Sequence, residues 1–206
     1  LVSPQHMIPS RGSDQPLYNE DRSVAVVFNG EIYNYKALRH DLTHQGHQFH
    51  TAGDGETIAH LYEQYGTDLA CHLRGMFAFA LWDARQRRLL LARDRFGQKP
   101  LYYYHDAQTL VFASEIKALL QHPAVPRESA FDDARTLGLY LGYGYVPAPL
   151  TAFKGIRALL PAQQVVWQDG VVHHEQYWRV PTITDATTSG DDAHYAALVR
   201  ELLRDA

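Results

Sequence analysis

Short apolar runs that come in pairs, each pair joined by a few polar residues, constrain this chain more than anything else in its sequence. Met76 to Trp82 pairs with Leu89 to Ala92 across a turn at 83–88, and Leu101 to Tyr104 pairs with Leu110 to Ala113 across 105–109. Val165 to Trp167 and Val171 to Trp178 flank Asp169-Gly170, a dipeptide suited to a two-residue hairpin loop. Turns this short allow antiparallel pairing only, because a parallel partner needs a long crossover. The runs are apolar at consecutive positions, so both faces of the strands must be covered. A second sheet on one face and helices on the other would do so, which predicts a layered sandwich of antiparallel sheets and helices.

The remaining elements fit such a sandwich. Ser23 to Phe28 reads as a buried strand that Asn29-Gly30 ends. After it, Asn34 is a good N-cap for a helix carrying Tyr35, Leu38 and Leu42, closed near Gly46. Ile58, Leu61, Tyr62 and Tyr65 mark one face of a second helix, with Asp54 near its start and Gly66 at its end. Ser114 is placed to cap a helix through Leu120, stopped by Pro123 and Pro126, and a further helix is predicted from Asp132 to about Leu141.

The hairpin at Asp169-Gly170 closes a first domain at 1–180. Residues 181–192 are rich in Thr, Ser, Gly and Asp and read as a linker. Tyr195, Leu198, Val199, Leu202 and Leu203 then form a helical stripe over 193–206. A lone helix of that length is marginal in water, so it is expected to open a further domain. The stretch from Leu1 to Asp14 has no strand or helix period and no start methionine, so sequence upstream is expected as well.

Composition removes several classes of function. A net charge of −4, with basic and acidic residues interspersed, gives no cationic field for nucleic acid or an anionic membrane. One cysteine, Cys71, allows neither an intrachain disulfide nor a cysteine pair for zinc, and a reducing cytoplasm fits best. The longest apolar run, Met76 to Trp82, is far too short to span a bilayer. The sequence leaves the oligomeric state open, a homodimer included.

Several residues can carry chemistry, and each has a plainer reading. Asn29-Gly30 could form an oxyanion hole from a side-chain amide and a glycine N–H, or simply a hairpin turn. Glu31 and Asp54 could hold the ammonium group of an amino acid, whereas Asp54 could equally be a helix N-cap. Arg93-Asp-Arg-Phe-Gly97 reads as a structural ion-pair network at a strand end. Cys71, beside His72, reads as a small core residue in preference to a nucleophile. His40, His44, His47 and His50 raise zinc, but no cysteine or acidic residue completes a good ligand set nearby, and a solvated helix face is the better reading. No metal site is expected.

Phe28-Asn-Gly-Glu-Ile-Tyr-Asn34, Arg74-Gly-Met-Phe-Ala-Phe-Ala-Leu-Trp-Asp83, Arg93 to Gly97 followed by Lys99-Pro-Leu-Tyr-Tyr103, and Ser114-Glu-Ile-Lys117 together resemble the glutaminase domain of glutamine-hydrolysing asparagine synthetases. Their order and spacing agree from about Gln15 to Trp178. The resemblance implies an α+β, four-layer αββα sandwich of the N-terminal-nucleophile hydrolase type. It also implies a reaction in which an N-terminal cysteine attacks the side-chain amide of L-glutamine and forms a thioester. The released ammonia reaches a synthetase domain, where ATP with Mg²⁺ has activated aspartate; no cofactor is implied for the glutaminase domain itself.

Carried over residue by residue, Asn29 and Gly30 resemble the catalytic oxyanion-hole donors, and with Glu31 and Asp54 the groups that bind glutamine. No residue of this chain matches the nucleophile, which would lie before Leu1, and none is assigned to the glutamine carboxylate. Gly55 stands where the family usually has threonine or cysteine, and Gln98 where it has an aliphatic residue. The readings that remain are a fragment of a working synthetase, inert alone, a non-catalytic scaffold of the same descent, and an amidotransferase for another carboxylate.

Overall fold

The computed structural model describes residues 14–181 and 192–205. The expected linker and the unpatterned opening stretch therefore lie almost wholly outside the described residues. The chain forms β1 (Leu17–Tyr18), β2 (Val24–Ile32), α1 (Tyr35–His44), α2 (Glu56–Tyr65), a 3₁₀ turn (Gly66–His72), β3 (Gly75–Asp83) and β4 (Arg88–Arg93). It continues with β5 (Tyr102–His105), β6 (Leu110–Ala113), α3 (Ile116–Leu119), α4 (Ala134–Tyr143), β7 (Arg157–Ala158), β8 (Gln163–Gln168), β9 (Val171–Gln176) and α5 (Asp192–Asp205).

All strand pairings are antiparallel, and the three expected hairpins are present as β3–β4, β5–β6 and β8–β9. One sheet runs β1-β2-β3-β4-β8-β9 and the other β6-β5-β7. Alternation along the strands separates the layers, since successive side chains point to opposite faces. Phe77, Phe79 and Leu81 of β3 join Val26, Phe28 and Ile32 of β2 against Leu42 of α1 and Ile58, Leu61 and Tyr62 of α2. Ala78 and Ala80 of the same strand face the second sheet, with Leu91, Val165, Leu101 and Tyr103. On the outer face of the second sheet Ala113, Val111 and Tyr104 meet Leu119 of α3. The result is the expected α+β sandwich, helices outside and two antiparallel sheets between them.

Details of the ends differ from expectation. Asn29-Gly30 does not stop β2, which runs on to Ile32 with Gly30 opposite Phe77 and Ile32 opposite Gly75. Asn34 precedes α1 as expected but makes no cap bond; its amide donates to His72 O (2.9 Å) and its carbonyl accepts from Arg74 N–H (2.9 Å), tying the helix start to the entry of β3. Ser114 is not a cap either: α3 follows Glu115, whose backbone is extended. α4 begins two residues later than predicted, behind Asp133, whose carboxylate accepts from Thr136 N–H at 2.9 Å. Among the described residues no helix is long and apolar enough to cross a membrane.

Candidate functional site

The downstream half of β2 carries the candidate residues, and its pairing with β3 fixes their directions. Asn29 and Glu31 share one face of the strand, while Phe28, Gly30 and Ile32 are buried on the other. Gly30 has φ +149°, and a Cβ there would overlap the carbonyl of Met76 and the Cα of Phe77. Only glycine lets the two strand backbones approach so closely at this point. The hairpin-turn reading of Asn29-Gly30 is thereby excluded.

Asn29 opens onto a cavity of about 440 Å³ between the sheets, lined also by Gln15, Ala78, Ala80, Leu101 and Ser114. The small Ala78 and Ala80 side chains leave this space, which falls in the range of small-ligand sites. Asn29 Nδ2 lies 3.4 Å from Ser114 Oγ, so the amide is turned toward the second sheet. Gln15 bonds both peptide groups of Phe28, donating to its carbonyl and accepting from its N–H at 2.7 Å each, as a strand neighbour would. Sequence reasoning gave no role to Gln15 and read Ser114 only as a helix cap. The Ser114-Glu-Ile-Lys117 motif was the available signal for Ser114.

Asp54 is not an N-cap, since Gly55 precedes α2 and makes no side-chain cap bond. Its carboxylate instead accepts from the N–H of Ile32 at 2.7 Å, which brings the α1–α2 connection to the end of β2 beside Glu31. The structure thus gathers Asn29, Gly30, Glu31 and Asp54 at one strand end, although only Asn29 lines the cavity itself. Glu31 is exposed and Asp54 half-buried. Gly55 is buried, and a Cβ there would come within 2.7 Å of Leu17 Cδ1 and 2.9 Å of Phe28 Cδ1.

The Arg93–Gly97 segment is structural, but its charges bond to peptide groups. Arg93 donates to the carbonyls of Gly97, Lys99 and Leu159, each at 2.6 Å. The wholly buried Asp94 carboxylate accepts from the N–H groups of Phe96, Gln98 and Lys99 at 3.0 Å and of Phe77 at 3.3 Å.

Cys71 is exposed, contrary to the core reading, while its neighbours Leu69, Ala70 and Leu73 are buried. Partial burial, Asp68 and Glu175 all push its thiol pKa up, the reverse of what activates a nucleophile. His40 and His44 face each other on exposed α1, Nε2 to Nε2 at 3.1 Å. His47 turns away from them toward Glu20 and Glu63. No cofactor site is evident around the cavity among the described residues.

A family model described as a glutamine amidotransferase domain matches residues 7–178. The chain belongs to that family. It is a class II domain, homologous to the glutaminase domain of glutamine-hydrolysing asparagine synthetases. It is 37% identical over 204 residues to asparagine synthetase [glutamine-hydrolyzing] 3 of Bacillus subtilis, covering 97% of this chain and 32% of that protein. With asparagine synthetase [glutamine-hydrolyzing] 3 of Arabidopsis thaliana it shares 54% identity over 112 residues, 54% of this chain and 19% of the relative. The chain thus spans a third or less of these relatives' length. Among solved structures, glutamine phosphoribosylpyrophosphate amidotransferase from B. subtilis superposes with TM-score 0.55 at 23% identity, over 80% of this chain and 32% of that one. That likeness carries the fold alone. In this chain β2 and β3 are neighbours inside the six-stranded sheet, where Asn29 meets the intersheet cavity.

Proposed function

We propose that this domain binds L-glutamine beside the end of β2 and releases its side-chain nitrogen as ammonia for the ATP-dependent amidation of aspartate in an asparagine synthetase. The observation that carries the reading is the Asn29 amide facing a cavity of about 440 Å³, next to a Gly30 at which the strand tolerates no side chain. Attack of a thiolate on the glutamine amide carbon moves negative charge onto its oxygen. Asn29 Nδ2–H and the Gly30 N–H are uncharged donors suited to that oxyanion, and in a water-poor cleft they act with little screening. Collapse of the intermediate breaks the C–N bond, a proton goes to the departing nitrogen, and water later hydrolyses the thioester to glutamate.

Glu31 and Asp54 are the anions assigned to the glutamine ammonium group. Cys71 does not supply the thiolate, and it is the only cysteine of the chain. Residues 1–206 alone are therefore expected to be inert toward glutamine, since loss of a nucleophile costs on the order of 10⁶ in rate. ATP, Mg²⁺ and aspartate belong in this reading to the synthetase half of the protein, whose cytoplasmic setting matches the single-thiol composition.

Calorimetry and steady-state kinetics on the full-length protein test the assignment. Asn29→Ala is expected to lower glutaminase kcat about 10²- to 10³-fold, as loss of one oxyanion donor does elsewhere. Asp54→Asn keeps an acceptor for the Ile32 N–H and is expected to weaken glutamine binding about 10- to 100-fold through loss of charge. Wild-type kcat in Asn29→Ala together with wild-type glutamine affinity in Asp54→Asn would overturn the reading.

A further inference from the structure

We infer that Glu20, His47, His60 and Glu63 form a closed structural site for one divalent transition-metal ion of the zinc class. One ligand atom from each of these residues lies within 4.8 Å of all the others. His47 Nδ1 is 3.2 Å from Glu20 Oε1 and 3.5 Å from Glu63 Oε2, and His60 Nδ1 is 3.4 Å from Glu20 Oε2 and 3.3 Å from Glu63 Oε2. Tetrahedral ligands about 2.0–2.1 Å from zinc stand roughly 3.3–3.4 Å from one another. With one oxygen taken from each glutamate, three nitrogen-to-oxygen edges of the cluster, between 3.2 and 3.5 Å, are already close to that length.

Hydrogen bonds alone serve this arrangement poorly. Each Nδ1 faces two carboxylates and has at most one proton to give. With neutral imidazoles the cluster carries two negative charges around the fully buried His60 ring, and a divalent cation at its centre would neutralise them. His60 Nε2 has no hydrogen-bond partner and lies 3.6 Å from Oε1 of buried Glu56. A metal on Nδ1 would leave the ring proton on Nε2, aimed at that carboxylate, which is the usual outer arrangement of a metal-bound histidine.

The other ligands are held in the same way. Glu20 Oε1 accepts from Gln48 N–H at 2.9 Å and Glu63 Oε1 from Asn19 Nδ2 at 2.9 Å; His47 Nε2 lies 2.8 Å from Gln64 Nε2, and a metal on Nδ1 would turn that amide so that its oxygen accepts from Nε2–H. Glu56 is fixed by the N–H groups of His50 and Thr51 at 2.7 Å each. Four protein ligands leave no open position, so the ion would hold structure and not react with substrate. It would clip the β1–β2 turn and the α1–α2 connection onto α2, where His60 and Glu63 share a face at i, i+3. This end of β2 is remote from Asn29, so the site stands apart from the glutamine reading.

The protein stripped with a chelator is to be titrated with Zn²⁺ against a chromophoric competitor, and with Co²⁺ to read coordination geometry from its visible absorption. One equivalent of tight binding with a tetrahedral cobalt spectrum is expected. His47→Ala and Glu63→Gln lie at partly exposed positions and should fold; each is expected to weaken Zn²⁺ binding on the order of 100-fold and to abolish the zinc-dependent rise in Tm. Glu56→Gln should weaken it about 10- to 100-fold, while the double variant His40→Ala, His44→Ala should bind as wild type. Absence of stoichiometric uptake, uptake that survives His47→Ala and Glu63→Gln, or uptake lost in the His40, His44 variant would each overturn the proposal.

Discussion

At Gly30 a single residue decides whether two strands can meet. Its φ of +149° and the overlap that any Cβ would make with the Met76 and Phe77 backbone leave no side chain a place. Gly30→Ala is expected to cost on the order of 3 kcal/mol or more, measured as a fall in the urea midpoint; an unchanged midpoint would show that β2 and β3 part locally without penalty. Gly55 is constrained differently. Its own backbone is ordinary right-handed helix, φ −65° and ψ −26°, and the obstacle is the Leu17 and Phe28 side chains. Gly55→Thr is expected to cost about 1–3 kcal/mol through overpacking. Combined with Leu17→Ala it should show a favourable coupling of about 0.5–3 kcal/mol, and strict additivity in the denaturant cycle would remove this explanation for the glycine. The residue motifs made Asn29, Gly30, Glu31 and Asp54 legible as candidates. What Asp54 does with its carboxylate was not legible, because Ile32 is 22 residues away and an N-cap has the same local spacing.

Between elements, the buried link from α2 to the end of β3 has a readable pH signature. Tyr62 OH donates to Asp83 Oδ2 at 2.9 Å, and burial together with that carboxylate pushes the phenol pKa up to about 12. The folded value is above the unfolded value near 10, so the bond's contribution is complete below about pH 10 and is lost as pH rises through about 12. Tyr62→Phe is expected to cost about 1–3 kcal/mol at neutral pH and to flatten the alkaline fall in stability; an alkaline limb identical to wild type would sink this account. Hairpins and helices were placed well by run length and apolar stripe, whereas their caps were not. Asn34 and Ser114 have the right chemistry for capping, but tertiary partners, the His72 carbonyl and the Asn29 amide, take those side chains instead.

For the whole molecule, the joint between the two sheets is the decisive feature. Arg93 ends β4 in the first sheet and donates to Lys99 and Leu159, which flank β5 and β7 of the second, as well as to Gly97. Lysine carries its three donors on one nitrogen and cannot span the carbonyls that three separate guanidinium nitrogens reach. Arg93→Lys is expected to lose on the order of 3 kcal/mol, with protection from hydrogen exchange falling first around β5 and β7; a uniform loss across both sheets would argue against a localised joint. Periodicity, turn chemistry and long motifs determined the antiparallel strands, the layered sandwich and the amidotransferase family from sequence alone, because each is written in residues close together in the chain. Tertiary structure alone decided which side chains share a space. The Asn29 cavity needs Ser114 from 85 residues away, and His47 finds its carboxylates at Glu20 and Glu63 instead of its histidine neighbours on α1. Such meetings are set by how strands and helices stack in three dimensions, and local spacing carries no record of that stacking.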